Sequence, residues 1–259
     1  MTTLTVGHAR VTYRHEGSGA PLVLVHGAGP GSIMWDPLVA RLGERHTVVL
    51  PDLAGSVPAE DDGSPLTIEA LAAQVIAVIE DFAGNTPVDL MGFSLGAPTV
   101  AAAAALRPDL IRRLIPIAGL THAGDEYVQQ VMNTWLLLAD NPGAFGRFAT
   151  LNAYSRPYLN QIGHEAVEQF HDFMQPTDGL RRQIDLVTRL DIRGLLPRIE
   201  APTLVIGCTR DATIPVENHR EFFAAVPGSE YAELDTGHVA MAERTDEFLK
   251  LVQDFLARP

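Results

Sequence analysis

The 259-residue chain contains one cysteine, Cys208. A single thiol cannot close an internal disulfide or build a cysteine-rich metal site. Basic residues are scarce: 19 Lys and Arg stand against 32 Asp and Glu, for a formal charge of −13. Nothing in that balance offsets the repulsion of a phosphate backbone, so no nucleic-acid partner is expected. Long apolar runs are missing too. The longest, around Thr99 to Leu106, is mostly alanine and too short to span a bilayer, so no membrane span is expected. Met1 to Arg10 is polar and does not read as a signal peptide, which makes a cytoplasmic location the expectation. The glycine-dense stretch Gly27-Ala28-Gly29-Pro30-Gly31 lacks the Lys-Ser/Thr of a phosphate loop and does not spell Gly-x-Gly-x-x-Gly before a helix. No nucleotide cofactor and no metal are therefore expected.

What is present is globular: 46% apolar and 20% charged residues rule out a disordered chain. Its centre is Val88-Asp89-Leu90-Met91-Gly92-Phe93-Ser94-Leu95-Gly96-Ala97, which holds Gly-x-Ser-x-Gly between an apolar run and an Ala-rich run. That order reads strand, sharp turn, helix, the context of a nucleophile elbow. Ser94 would sit in a strained turn, where a side chain at position 92 or 96 would collide with neighbouring backbone. The following helix would aim its N-terminal amides at the reacting centre.

Strand and helix patterns alternate on either side. Val11 and Tyr13 suggest an antiparallel edge strand. Leu22–Val25, Thr47–Asp52, Ile111–Ile117, Thr203–Cys208 and Tyr231–Leu234 read as further strands, the continuous apolar runs as strands buried on both faces. A helix capped by Asp36 with Pro37 at its first position follows the glycine-dense loop. Thr67 to Phe82, Glu217 to Val226 and Val239 to Leu256 read as helices. From about Thr121 to Leu196 the β-branched runs stop, and Met132 to Leu138, Ala166 to Phe173 and Leu180 to Leu190 suggest helices. The expected fold is α/β: a doubly wound, mostly parallel sheet of about eight strands with a helical cap. Residues 1–120 and 197–259 would form the core domain and 121–196 the cap. Four consecutive apolar residues, Trp135 to Leu138, wrap most of a helix circumference, which predicts cover on both sides of that helix.

In such sheets ligands bind at the carboxyl ends of strands, and four suggestive loops converge there. A serine hydroxyl needs a base within reach and a third group to hold the base. His238, in the loop after the last strand, is the candidate base. Asp211, just past Cys208, is the candidate acid, and the order Ser94, Asp211, His238 is nucleophile, acid, base. Asp235 is the rival acid, but three residues from His238 on one loop it is poorly placed for the far ring nitrogen. The backbone N–H groups of Leu95 and Ala28 are the candidate oxyanion donors. His26 is expected to brace its loop. His164, Glu168 and His171 share a helical face, but the spacing is not His-Glu-x-x-His and reads as a solvated stripe.

With these pieces in place the chain resembles the α/β-hydrolase superfamily over essentially its whole length. His26-Gly-Ala-Gly-Pro-Gly31 and Gly237-His238-x-x-x-x-Glu243 are similar to capped esterases and lactonases, and the first also to the loop of meta-cleavage-product C–C hydrolases. Ala28 replaces that subfamily's usual Gly, and Leu53-Ala54-Gly55-Ser56-Val57 lacks its usual Gly-x-Gly-x-Ser turn. The resemblance implies a serine hydrolase acting on an ester, thioester or lactone of a hydrophobic small-molecule acyl compound. Hydrolysis of a carbon–carbon bond in a vinylogous diketone, a ligand receptor with little turnover, and a cofactor-free perhydrolase are the alternatives. Met132 or Trp135 is expected to line the acyl pocket. Oligomeric state leaves no mark in the sequence.

Overall fold

Eight strands hydrogen-bond into one sheet in the order β1-β2-β4-β3-β5-β6-β7-β8. They are β1 (Thr2–Val6), β2 (Ala9–Gly17), β3 (Ala20–Val25), β4 (His46–Asp52), β5 (Val88–Phe93), β6 (Ile111–Ile117), β7 (Leu204–Cys208) and β8 (Glu230–Leu234). The computed structural model describes residues 1–29 and 31–258, without the side chains of 172 and 173; Pro30 of the glycine-dense loop lies outside the described residues. β1 and β2 pair antiparallel, as do β2 and β4, and the remaining pairs are parallel.

The pattern of β3 shows why the sheet forms. Val23 and Val25 enter one apolar layer with helices α2 (Ile68–Ala83) and α3 (Gly96–Leu106). Leu22 and Leu24 enter the opposite layer with α1 (Asp36–Gly43) and the C-terminal helix. A strand covered on both faces must be apolar throughout, because neither face meets water. Each such side chain stabilises the fold by about 1.5–3 kcal/mol relative to exposure.

Several expectations need correction. The edge strand is β1, not β2; its alternation is mostly exposed, so its stability comes from backbone pairing and leaves a weak apolar signal. Asp36 is the first residue of α1 rather than its cap, because a 3₁₀ turn over Ser32–Trp35 runs directly into the helix. Asp36 pairs with Arg14 instead. The last helix is two, α9 (Ala240–Glu243) and α10 (Thr245–Leu256), broken at Arg244. Thr67 does cap α2, accepting a bond from the Ala70 amide at 3.1 Å.

Between β6 and β7 lie four α-helices: α4 (Glu126–Leu137), α5 (Pro142–Ala153), α6 (Arg156–Phe173) and α7 (Asp178–Val187). α5 has no strong apolar stripe, and Gly143 and Gly146 weaken its helical signal. Its Gly146 is required by packing: a Cβ there would lie 2.3 Å from the His171 carbonyl oxygen of α6. Cover on both sides of α4 does not occur. Leu137 is 84% exposed, whereas Met132 and Trp135 are buried. The apolar run exceeds what one packed face can bury.

Candidate active site

The carboxyl ends of β3, β5, β7 and β8 deliver His26, Ser94, Asp211 and His238 to one edge of the sheet. The turn after β5 holds Ser94 at φ 55°, a region ordinary residues seldom occupy. Its strain is over-determined by neighbours. A Cβ at Gly92 would meet the Gly96 carbonyl oxygen at 2.3 Å, and one at Gly96 would meet the Val25 carbonyl oxygen at 2.6 Å. The Ser94 amide is tied to the Ile117 carbonyl at 2.9 Å. A Cβ at Gly27 would come within 3.0 Å of the Ser94 Cβ, so this glycine allows the first loop to reach the serine.

His238 lies between Ser94 and Asp211. Its Nε2 is 2.9 Å from Ser94 Oγ and its Nδ1 is 2.6 Å from Asp211 Oδ2. An ionised carboxylate only accepts, so Nδ1 carries the proton and Nε2 is free to accept from the serine hydroxyl. The Asp211 side chain is fully buried. Its other oxygen accepts from the amides of Thr213 and Ile214, both at 2.8 Å. Asp235 points elsewhere. It is exposed and bound to Arg210 and Thr209, and hydrogen bonding by Arg210, then Thr209, holds its carboxyl down at about 2.

His26 braces two loops at once. Nε2 accepts from the Leu53 amide at 3.0 Å, so Nδ1 carries the proton and donates to the Gly27 carbonyl at 2.7 Å. Burial lowers its pKa, which keeps the ring neutral for this role. Glu168, on the helical face with His164 and His171, makes a two-pronged bond to Arg147 at 2.6 and 2.7 Å.

A cavity of about 450 Å³ opens over Ser94 and His238. Its sheet side includes Ala28, Phe93 and Leu95; its other walls include Met132, Trp135, Phe148, Ile184 and Val187 from α4, α5 and α7. Trp135 leans on Phe145 with ring centroids 5.4 Å apart.

A model of the alpha/beta hydrolase family matches residues 22–251. The chain belongs to that family. It is 36% identical over 261 residues to a pyrrolizixenacetamide deacetylase of Xenorhabdus hominickii, covering 99% of this chain and 98% of that protein. It is 26% identical to a pimeloyl-[acyl-carrier protein] methyl ester esterase of Xanthomonas oryzae, covering 93% of this chain and 96% of that one. The crystal structure of an enol-lactonase from Burkholderia xenovorans superposes with a TM-score of 0.87 at 27% identity, covering 99% of this chain and 100% of that one.

Two residues of this alpha/beta hydrolase escape a motif search. Gln183, buried on α7, accepts from the Gly29 amide at 2.9 Å and donates to the Ala54 carbonyl at 3.3 Å. Its seat depends on Gly55 at φ +86°, where a Cβ would stand 2.9 Å from the Gln183 side chain. The available signal is a glutamine on the apolar face of a strongly amphipathic helix. His219, on α8 (Val216–Ala225), is fully buried. Its Nδ1 accepts from the Cys208 amide at 3.1 Å, which leaves the proton on Nε2, 3.6 Å from Asp211 Oδ2. Burial pushes its pKa down to about 4, so it faces Asp211 as a neutral ring. Among the described residues, no helix is long and apolar enough to cross a membrane.

Proposed function

We propose that this protein is a serine hydrolase that cleaves ester-type bonds of hydrophobic small molecules through an acyl-enzyme. The observation that carries this assignment is His238 bridging Ser94 and buried Asp211 beneath an apolar cavity. Ser94 Oγ attacks the substrate carbonyl carbon while His238 Nε2 takes the hydroxyl proton. Asp211 holds the Nδ1–H tautomer and stabilises the imidazolium. As the tetrahedral intermediate collapses, His238 returns the proton to the leaving group. A water, deprotonated by His238, then releases the acid and regenerates Ser94.

The amides of Ala28 and Leu95 are the proposed donors to the developing oxyanion. Both residues line the cavity, and the next amide in the loop, Gly29, is already held by Gln183. Gln183 is thus a positioning residue: it fixes the backbone that aims Ala28. Residues 121–196 act as a cap on a core of 1–120 and 197–259, with Met132 and Trp135 in the acyl wall. A cytoplasmic setting agrees with a lone, buried, free cysteine.

The relatives' names favour cleavage at an acyl C–O or C–N bond over carbon–carbon hydrolysis. The deacetylase supports a second reading, removal of acetyl from a hydrophobic acetamide by the same chemistry. A panel of p-nitrophenyl acyl esters of rising chain length, with acetanilide beside it, tests both. Turnover of esters by the wild type and its loss in Ser94→Ala are expected. A receptor would turn over none of them, and turnover surviving in Ser94→Ala would remove the serine mechanism.

A further inference from the structure

The cavity has a property that acyl chemistry alone does not demand. Among the described residues that line it there is no Lys, Arg, Asp or Glu, and His238 is already engaged with Asp211. The positions outside that description are Pro30, Pro259 and the side chains of Asp172 and Phe173, so none of them brings a cation. Tyr154 and Tyr158 in the wall stay neutral; burial raises both phenols, Tyr154 to about 12.

We infer that the substrate is uncharged along the whole length held in this cavity, on the acyl side and on the leaving-group side alike. This rests on the ester-hydrolase assignment and narrows it to neutral compounds. A carboxylate or phosphate entering the cavity would give up hydration and meet no cation in return. An ammonium would lose its water in the same way, and among the described lining residues no carboxylate stands to pair with it. The aromatic rings would offset only part of that loss.

The chain's net charge of −13 also repels anions, but over a long range that salt screens. Desolvation inside the cavity is not screened. The two causes therefore separate experimentally.

The test uses isosteric pairs on the whole protein. Ethyl hexanoate is compared with monoethyl adipate, which replaces the terminal methyl by a carboxylate. 3,3-Dimethylbutyl acetate is compared with acetylcholine, which places a cation on the leaving side. The neutral member is expected to lead in kcat/KM on the order of 100-fold in the first pair and about 10-fold in the second. Both ratios should survive about 0.5 M NaCl. The first should narrow towards about pH 5, as the adipate carboxyl gains its proton, while pH effects on the protein are common to both members and cancel. Equal rates within either pair would overturn neutrality, and so would a ratio that disappears in salt. Absence of turnover with both neutral esters would instead remove the hydrolase assignment on which the inference stands.

Discussion

Two surfaces face each other across the cavity, and they are built by different means. The sheet edge holds its groups through backbone: Ser94 in a strained turn, Asp211 on two amides, His26 between two loops. The opposite wall, built by α4, α5 and α7, holds its groups by apolar contact, with Trp135 on Phe145 and Met132 buried among neighbours. Hydrogen bonds to backbone fix atoms to within tenths of an ångström, which proton transfer requires. Apolar packing fixes volume and shape, which is enough to sort substrates. Changes on the sheet edge should therefore act on turnover, and changes in the opposite, helical wall on selectivity. Gln183 is the exception, because it lies on α7 of the helical wall and is bonded to the loops of the sheet edge.

After loss of the nucleophile itself, the largest effect should come from Asp211. Asp211→Asn keeps the shape but favours the wrong imidazole tautomer, with an expected loss on the order of 10⁴-fold in kcat. Asp235→Asn, which breaks only surface contacts with Arg210 and Thr209, should leave kcat nearly unchanged. The reverse ranking would transfer the acid role to Asp235.

A smaller loss is expected from Gln183→Leu, which removes the acceptor for the Gly29 amide at similar volume. kcat should fall about 10- to 100-fold, less than for deleting one oxyanion donor outright, with KM within about threefold. A rise in KM alone would place Gln183 with the helical wall and restore a clean division between the surfaces.

Trp135→Ala should act least on turnover and most on choice. Discrimination between acetyl and longer acyl esters should shrink by up to roughly 1–3 kcal/mol in kcat/KM. Melting temperature is the control. Equal losses for both substrates would make Trp135 a packing residue only.

The sheet edge was the more legible surface in the sequence. Gly92, Ser94 and Gly96 are spaced by steric necessity, and buried parallel strands must be apolar throughout, so elbow, strands and loop order could all be read locally. Asp211 and His238 are picked out by their places after β7 and β8, and the structure brings both side chains into line with Ser94. The four helices between β6 and β7 are less legible, for physical reasons. α5 is packed through a glycine, Gly146, rather than through an apolar stripe. Leu137 satisfies the apolar pattern of α4 yet faces solvent. β1 is held by backbone bonds with little burial. Gln183 acts through partners far away in sequence, Gly29 and Ala54, and no local spacing encodes those distances. His219 lies only a few residues past Asp211, but nothing in the local pattern of α8 marks it as facing that carboxylate.

The most direct test of the central claim, that His238 and Asp211 activate Ser94 as a nucleophile, is covalent capture. The protein is treated with a neutral alkyl fluorophosphonate, and the site and rate of labelling are read by intact mass and peptide mapping. The account predicts one adduct, on Ser94, absent in Ser94→Ala and formed at least about 10³-fold more slowly in His238→Ala and Asp211→Asn. An adduct on another residue, or labelling of Ser94 at an unchanged rate in those two variants, would contradict it.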